Sequence, residues 1–514
     1  MSATVGGCAA SALLVLCAFA PSVDRSFASS RAPAGDGGLA EAKRDLVDRY
    51  PDKRRSAVRR LVEIGTEESW TLVVPALRDP DALVADEAQL RLAAVPHAKV
   101  WARVLGSDAL GHKNVLVRKR TAELIGRRPT PAHLADLLRA AGDKDPGVRR
   151  MAVWSVERQA AAQNLEFGDE ARQRGALAAI GERDRDPCVR GAVLFALAAL
   201  AQSGRSVPEL VPRLESAARS KAREERTVAA ALLATHHPAR AGALLAPLAR
   251  DELPVVRAAA IRAIVECRDR RAVEVLVERL EHEPRIRLRR MAAAGLERLS
   301  GRKARLDHRP FRDWLATLPE DWRAELGAPA TAVEGGTTSA ALYGMPILSD
   351  HFAVLIDMSG SMWTAKNGVV PKTLVDQQVR KLVEGLGESA RFNLVPYATQ
   401  PTRLWEQLDV ASKRNAERAV EWFEQLTLRG KGNLWDALDL ALEDPAPDTL
   451  ILFHDGAPTG GPHWNMELLE PLLAERNRYS GIVLDVVLTE GGAQKRRWRS
   501  IAEASGGEYY EVKS

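Results

Sequence analysis

Three short stretches of this 514-residue chain place oxygen donors where a cation could use them. The first is Phe352-Ala-Val-Leu-Ile356 followed at once by Asp357-Met-Ser359-Gly-Ser361. Five consecutive apolar residues without polar alternation predict a strand buried on both faces, the kind found inside a parallel sheet. The run stops at a carboxylate, and two hydroxyls follow at alternate positions around Gly360, where glycine permits a tight turn. The second stretch is Gly430-Lys-Gly432-Asn433, a glycine-rich loop leading into the apolar helical pattern Leu434-Trp-Asp-Ala-Leu438. The third is Leu450-Ile-Leu-Phe-His-Asp455, another apolar run that ends in a carboxylate and then Gly456. In an open α/β sheet, ligands bind beyond the carboxyl ends of the strands. Asp and Ser oxygens gathered there suit a hard divalent cation.

With the ending Ile501-Ala-Glu-Ala-Ser-Gly-Gly-Glu-Tyr-Tyr510, these motifs make residues 346–514 resemble the von Willebrand factor A (VWA) domain and its metal-ion-dependent adhesion site (MIDAS). The resemblance implies a bound Mg²⁺ (or Mn²⁺/Ca²⁺) and assigns ligand places to Asp357, Ser359 and Ser361 in the first loop and Asp455 in the third. The second loop departs from the family pattern. Gly432 stands where the family has a Thr ligand, and Asn433 beside it offers a carbonyl oxygen. Because Mg²⁺ keeps several waters in protein sites, a water can replace the lost hydroxyl, at the expense of affinity. The resemblance further implies a protein partner whose acidic side chain completes the ion's coordination.

The elements that must position these residues are legible as strand–helix alternation, which predicts a doubly wound, Rossmann-like sheet. Strands are expected over 391–397, 450–453, 482–488 and 508–512, with a short edge strand over 404–408. Helices are expected over 373–386, 415–426, 434–442, 467–478 and 496–504. Met362 is expected to pack inward. Trp363 is either an exposed anchor for a partner or packed on its own loop. Trp435 is expected in the core, and His454 is expected only to line the site.

The preceding half has a different rhythm. Asp145-Pro-Gly-Val-Arg149, Asp186-Pro-Cys-Val-Arg190, Leu253-Pro-Val-Val-Arg257 and Glu283-Pro-Arg-Ile-Arg287 share one pattern, with partial copies around Asp79, Arg118 and Arg226. From Arg118 to Arg287 the arginines recur every 30 to 41 residues, the period of stacked helical hairpins. Asp caps each second helix, and Pro fits its first turn because no donor is lost there. This half resembles the HEAT-repeat family, in which such an Asp and Arg pair between neighbouring repeats. The arginines are therefore expected to be structural and not a phosphate-binding surface. The pair His236-His237, followed by Pro238, is expected to end a helix, since adjacent helical residues do not share a face.

The expected fold class is thus multidomain, an all-α HEAT-like solenoid followed by an α/β doubly wound VWA domain. Residues 1–28 read as a signal peptide, 29–40 as a linker and 41–300 as the repeat array. Residues 301–345 read as a capping helix and flexible linker, and 346–514 as the VWA domain. The signal peptide rests on the apolar run from Cys8 to Ala20, which is short for a membrane span, and on small residues at Ser26 and Ala28. It implies export to the periplasm or beyond, with no membrane span in the mature chain. Cys188 and Cys267 lie in different repeats and are expected to stay unbridged.

Composition, at 46% hydrophobic and 27% charged, is that of an ordinary globular chain. The net charge of +5 is unevenly spread. Residues 346–514 hold 18 basic and 24 acidic side chains, and the balance before them is +11. An exported array has little occasion to meet nucleic acid, so none is expected as a partner. There is no H-E-x-x-H, G-x-S-x-G or Walker loop. The expected function is non-enzymatic. The VWA domain contacts a protein partner through the cation, and the array provides an extended second surface. A metal-dependent hydrolase and a HEAT-like lyase or chaperone accessory are the alternatives.

Overall fold

A computed structural model describes residues 36–128, 132–303, 305–327, 333, 340–365, 368, 370–489 and 492–512. The apolar run at 8–20, the cleavage region around Ala28 and most of the expected tether at 328–342 lie outside these residues. The chain divides into two compact units, Met1–Ser216 and Ala217–Ser514. Among the described residues no helix is long and apolar enough to cross a membrane.

The first unit is built of helices, among them Pro51–Ile64, Ala82–Ala93, Val115–Arg127, Pro146–Ala161 and Pro187–Gln202. Asp145 and Asp186 cap the last two by accepting from Val148 N–H and Val189 N–H. The carboxylate that meets the recurring arginine is a different one, two residues earlier. Arg118 forms a fork with Asp143 at 2.7 and 3.0 Å. Arg149 does the same with Asp184 at 2.6 and 2.7 Å, and Arg54 with Asp79 at 2.7 Å on both arms. Each bridging Asp also accepts the backbone N–H two residues on, as Asp143 does from Asp145. In the copy at 79–83 the cap is accordingly Asp81, because Asp79 is the bridge. The D-x-D spacing thus separates two duties, capping and bridging, that the motif alone assigns to a single Asp.

The second unit begins with more hairpins, Arg223–His236, Pro238–Leu248, Pro254–Ile264, Arg270–His282 and Ile286–Ser300. His237 ends the first of these helices, as expected. The ladder continues with Arg226 on Asp251 at 2.7 and 3.0 Å and Arg257 on Glu283 at 2.8 Å on both arms. A short helix at Arg309–Ala316 follows, where a cap was expected. Cys188 and Cys267 are not joined in a disulfide, and burial pushes Cys267 up to about 12.

The sheet of the second unit has six strands: β1 (His351–Asp357), β2 (Arg391–Tyr397), β3 (Asp409–Val410), β4 (Thr449–His454), β5 (Val483–Leu488) and β6 (Tyr509–Glu511). Their spatial order is β6-β5-β4-β1-β2-β3, parallel throughout except for β3, which runs antiparallel to β2. The edge strand falls at 409–410 and not at 404–408. Leu404 and Leu408 are buried all the same, so their apolar spacing reports packing and not pairing. β1 is buried on both faces, as its composition requires. Phe352, Val354 and Ile356 pack with helices Pro371–Glu384 and Lys413–Glu424. Ala353 and Leu355 pack on the opposite side with Leu434–Ala441, Met466–Asn477 and Lys495–Ser505.

Within this unit the last hairpin joins the sheet near the amino-terminal ends of its strands. Arg287, at the recurring ladder position, donates to Asp485 Oδ1 of β5 at 2.5 Å, with both side chains buried. Ile286 N–H donates to Asp350 Oδ1 at 3.3 Å. Arg285 stands 4.0 Å from Asp448, whose carboxyl also takes bonds from Ser349 and Thr449 hydroxyls. Where a further repeat would offer the next bridging carboxylate, the sheet offers Asp485.

Candidate metal centre

The opposite, carboxyl-terminal ends of β1 and β4 gather the residues singled out from the sequence. Ile356 lies opposite Phe453 in the parallel register, so the next residues, Asp357 and His454, finish side by side. Asp357 is 1% exposed. Its Oδ1 accepts Ser359 N–H at 2.7 Å, which folds the loop back over the strand end. Ser359 and Ser361 hydroxyls are 3.1 Å apart. Gly360 N–H bonds to Gly430 O at 2.9 Å and Asn433 N–H to Ala398 O at 2.9 Å, tying the first and second loops and the β2 end together. Thr459 joins the third loop to the second by accepting from Gly432 N–H at 2.8 Å and donating its own N–H to Gly432 O at 3.1 Å.

His454, given no ligand role from the sequence, stands in the middle of the carboxylates. Its Nδ1 is 3.2 Å from Asp357 Oδ2 and 3.5 Å from Asp455 Oδ1. One donor atom from each of Asp357, His454 and Asp455 lies within 4.8 Å of the others. The ring is 1% exposed and packed against Tyr397 and Trp498, with centroids at 6.5 and 5.3 Å. Burial is the main cause that raises the Asp357 carboxyl above the usual range. The nearby His454 opposes the shift and Asp455 adds to it. Burial, reinforced by the same two carboxylates, pushes the Tyr397 phenol well above its ordinary value.

Two further positions in the second loop resolve differently. A Cβ added at Gly432 would lie 3.2 Å from Asp357 Oδ2 and 3.5 Å from Ser359 Cβ, and Gly432 is not in the left-handed region. A side-chain hydroxyl there would therefore point into the carboxylate cluster, as the Thr of the family pattern does. Asn433 is engaged elsewhere. Its Oδ1 caps helix Leu434–Ala441 by accepting from Asp436 N–H, and its amide donates to Thr399 O and Asp436 Oδ2. It is a positioning residue whose carbonyl oxygen already accepts at the start of that helix.

Met362 is buried in the core. Trp363 donates to Leu428 O at 2.7 Å and lies under Arg429, so it packs on its own loop and the second loop. Trp435 packs partly buried against the core and His463. The donor set of one buried and one partly buried carboxylate, two hydroxyls and an imidazole fits a divalent cation. Two carboxylates this close are stabilised together by a positive charge.

The family model for the von Willebrand factor type A domain matches residues 351–510. The model for HEAT repeats matches 102–198 and 211–297. The chain therefore carries a VWA domain with a doubly wound sheet, preceded by a HEAT-repeat helical solenoid. No curated protein sequence matches it. Structural matches include a von Willebrand factor type A protein from Catenulispora acidiphila, at 17% identity over 35% of this chain and 44% of that one, TM-score 0.27. They also include an aerotolerance-related membrane protein from Bacteroides fragilis, at 14% identity over 32% of this chain and 91% of that one, TM-score 0.25. Proximal thread matrix protein 1 from the mussel byssus matches at 23% identity over 32% of this chain and 41% of that one, TM-score 0.25.

Proposed function

We propose that this protein is a non-enzymatic interaction scaffold whose VWA domain binds a protein partner through a divalent cation. The observation that carries this reading is the convergence of Asp357, Ser359, Ser361 and Asp455 beyond the carboxyl ends of two adjacent strands. Those residues would hold the cation, and when bound it supplies a Lewis-acidic position that a partner's Asp or Glu can occupy. Asp357 and Asp455 offset the charge. Ser359 N–H orients the Asp357 carboxylate, and Gly360, through Gly430 O, keeps the first loop against the second. The HEAT array gives the chain an extended second surface.

A serine-nucleophile hydrolase has less support, because Ser359 Oγ faces Ser361 Oγ at 3.1 Å and is not bonded to a histidine among the described residues. Export rests on the apolar run from Cys8 to Ala20, and mass measurement of the mature N-terminus tests it. An intact Met1 chain in the cytosol would refute it. The scaffold reading is tested by affinity purification of the full chain with and without chelator. Specific partners should be lost on chelation, regained with added divalent cation and absent from Asp357→Ala. Partners retained equally in chelator would exclude cation-assisted contact.

A further inference from the structure

We propose that His454 is itself a ligand of this site, and that the site therefore selects a late first-row cation of the Zn²⁺ or Co²⁺ class over Mg²⁺. The inference rests on the reading that the loops hold a cation, and it names which kind.

Three observations carry it. The first is the nature of the donors. Mg²⁺ favours oxygen and keeps much of its water, whereas imidazole nitrogen suits Zn²⁺, Co²⁺ and their neighbours. Gly432 removes from the second loop the hydroxyl that would enrich an all-oxygen set, and β4 supplies a nitrogen instead.

The second is spacing. Metal–ligand bonds of about 2.0–2.1 Å in a tetrahedron put neighbouring donors about 3.3 Å apart. The two edges that meet at His454 Nδ1 measure 3.2 and 3.5 Å, and all three donors lie within 4.8 Å of one another. An octahedron with bonds of the same length, as Mg²⁺ demands, brings neighbouring donors to about 2.9 Å.

The third is the state of the ring. Gly456 N–H donates to Nδ1 at 3.0 Å. In the tautomer that accepts this bond, the Nδ1 lone pair, Asp357 Oδ2 and Asp455 Oδ1 face one another. A cation drawn into that trio exchanges the Gly456 bond for a stronger one. Nε2 is buried with no hydrogen-bond partner among the described residues, so they do not anchor the ring through its second nitrogen. Its orientation is set by packing on Tyr397 and Trp498, and by Trp498 Nε1–H, which holds Gly456 O at 2.6 Å. The ring is thus held with Nδ1 towards both carboxylates.

The experiment uses the full chain, stripped with chelator, and titrates Zn²⁺, Co²⁺ and Mg²⁺ separately by calorimetry into wild type and His454→Ser. Losing a second-shell partner already costs a metal site 10–100-fold. The His454→Ser change should therefore weaken Zn²⁺ and Co²⁺ by about 100-fold while leaving Mg²⁺ within about threefold. Equal Zn²⁺ affinity in the two proteins, or a parallel loss of Mg²⁺, overturns the ligand role and leaves the cation-assisted reading standing. Wild type that binds none of the three ions overturns both. Pulsed electron paramagnetic resonance of wild type loaded with Co²⁺ provides a reading that does not depend on the variant's folding. A coordinated imidazole nitrogen is expected at the ion, and a spectrum with oxygen donors only refutes the proposal.

Discussion

The two ends of the VWA sheet treat carboxylates in opposite ways. Near the amino-terminal ends of the strands, Asp485 is met by Arg287, and Asp448 and Asp350 lie beside Arg285 and the start of its helix. At the carboxyl-terminal ends, Asp357 and Asp455 share one imidazole. A guanidinium stays charged at any working pH and forks to a carboxylate, so the first end carries its own permanent counter-charge. An imidazole is a single weak base and cannot do that for two carboxylates. The first end is therefore a closed joint in which the helical ladder finishes on the sheet. The second is built to receive charge from outside. A buried carboxylate met by an arginine thus reads as architecture, and carboxylates gathered around an imidazole at the strand ends read as a binding site.

The joint is where the comparison should break most expensively. Arg287→Met leaves Asp485 buried and uncompensated, and should cost about 3–5 kcal/mol in denaturant unfolding of the full chain. Adding Asp485→Asn should recover most of that loss. The Asn side-chain oxygen can still accept the Glu508 N–H that Asp485 Oδ1 now takes at 2.8 Å. A double variant as unstable as the single one would show that packing, and not charge, holds the joint.

The first unit offers a pH version of the same test. Glu87, buried in helix Ala82–Ala93, is pulled up by burial, but bonds from Arg59, Arg55 and Arg91 more than offset this and hold it down to about 2. A depressed carboxyl contributes stability that is complete above its unfolded value of 4.5 and is lost as pH falls towards about 2. Glu87→Gln should therefore be less stable than wild type by about 1.5–3 kcal/mol at neutral pH. The two proteins should converge on acidification. A gap that persists at the lowest pH would assign the loss to shape alone.

At the other end the sign should invert. Asp357→Asn keeps an oxygen for Ser359 N–H but removes a charge that burial disfavours. In chelator the variant should be as stable as wild type or more so, while divalent-ion affinity falls by at least about 100-fold, or ~2.7 kcal/mol. A variant destabilised in chelator would mean that His454 already balances this carboxylate. Gly432→Thr has the smaller effect. Its Cβ would sit 3.2 Å from Asp357 Oδ2, so that carboxylate must yield by a few tenths of an ångström. Mg²⁺ affinity should rise by about tenfold, ~1.4 kcal/mol, in calorimetric titration. An unchanged Mg²⁺ affinity would place the new hydroxyl outside the ion's reach. Ser359→Ala should weaken Mg²⁺ by only a few-fold, because water can take a neutral ligand's place.

Much of this was legible in the chain itself, because it is written in short-range pattern. Five apolar residues in a row specify a strand buried on both faces wherever it ends up. Asp-Pro followed two residues on by Val and Arg specifies a capped helix with a guanidinium at a fixed height. Asp357, Ser359 and Ser361 sit within five residues, so one turn brings them together. What tertiary structure alone decided are the pairings between residues far apart in sequence. Whether His454 lines the site or enters it depends on the Ile356–Phe453 register, and a strand's own sequence does not state its register against a neighbour. Which Asp bridges and which caps depends on the offset between adjacent hairpins. That Arg287 finds Asp485, 198 residues away, follows from the need to match a buried charge. The residues local to Arg287 show that a partner is required, and only the folded chain shows which carboxylate comes within reach.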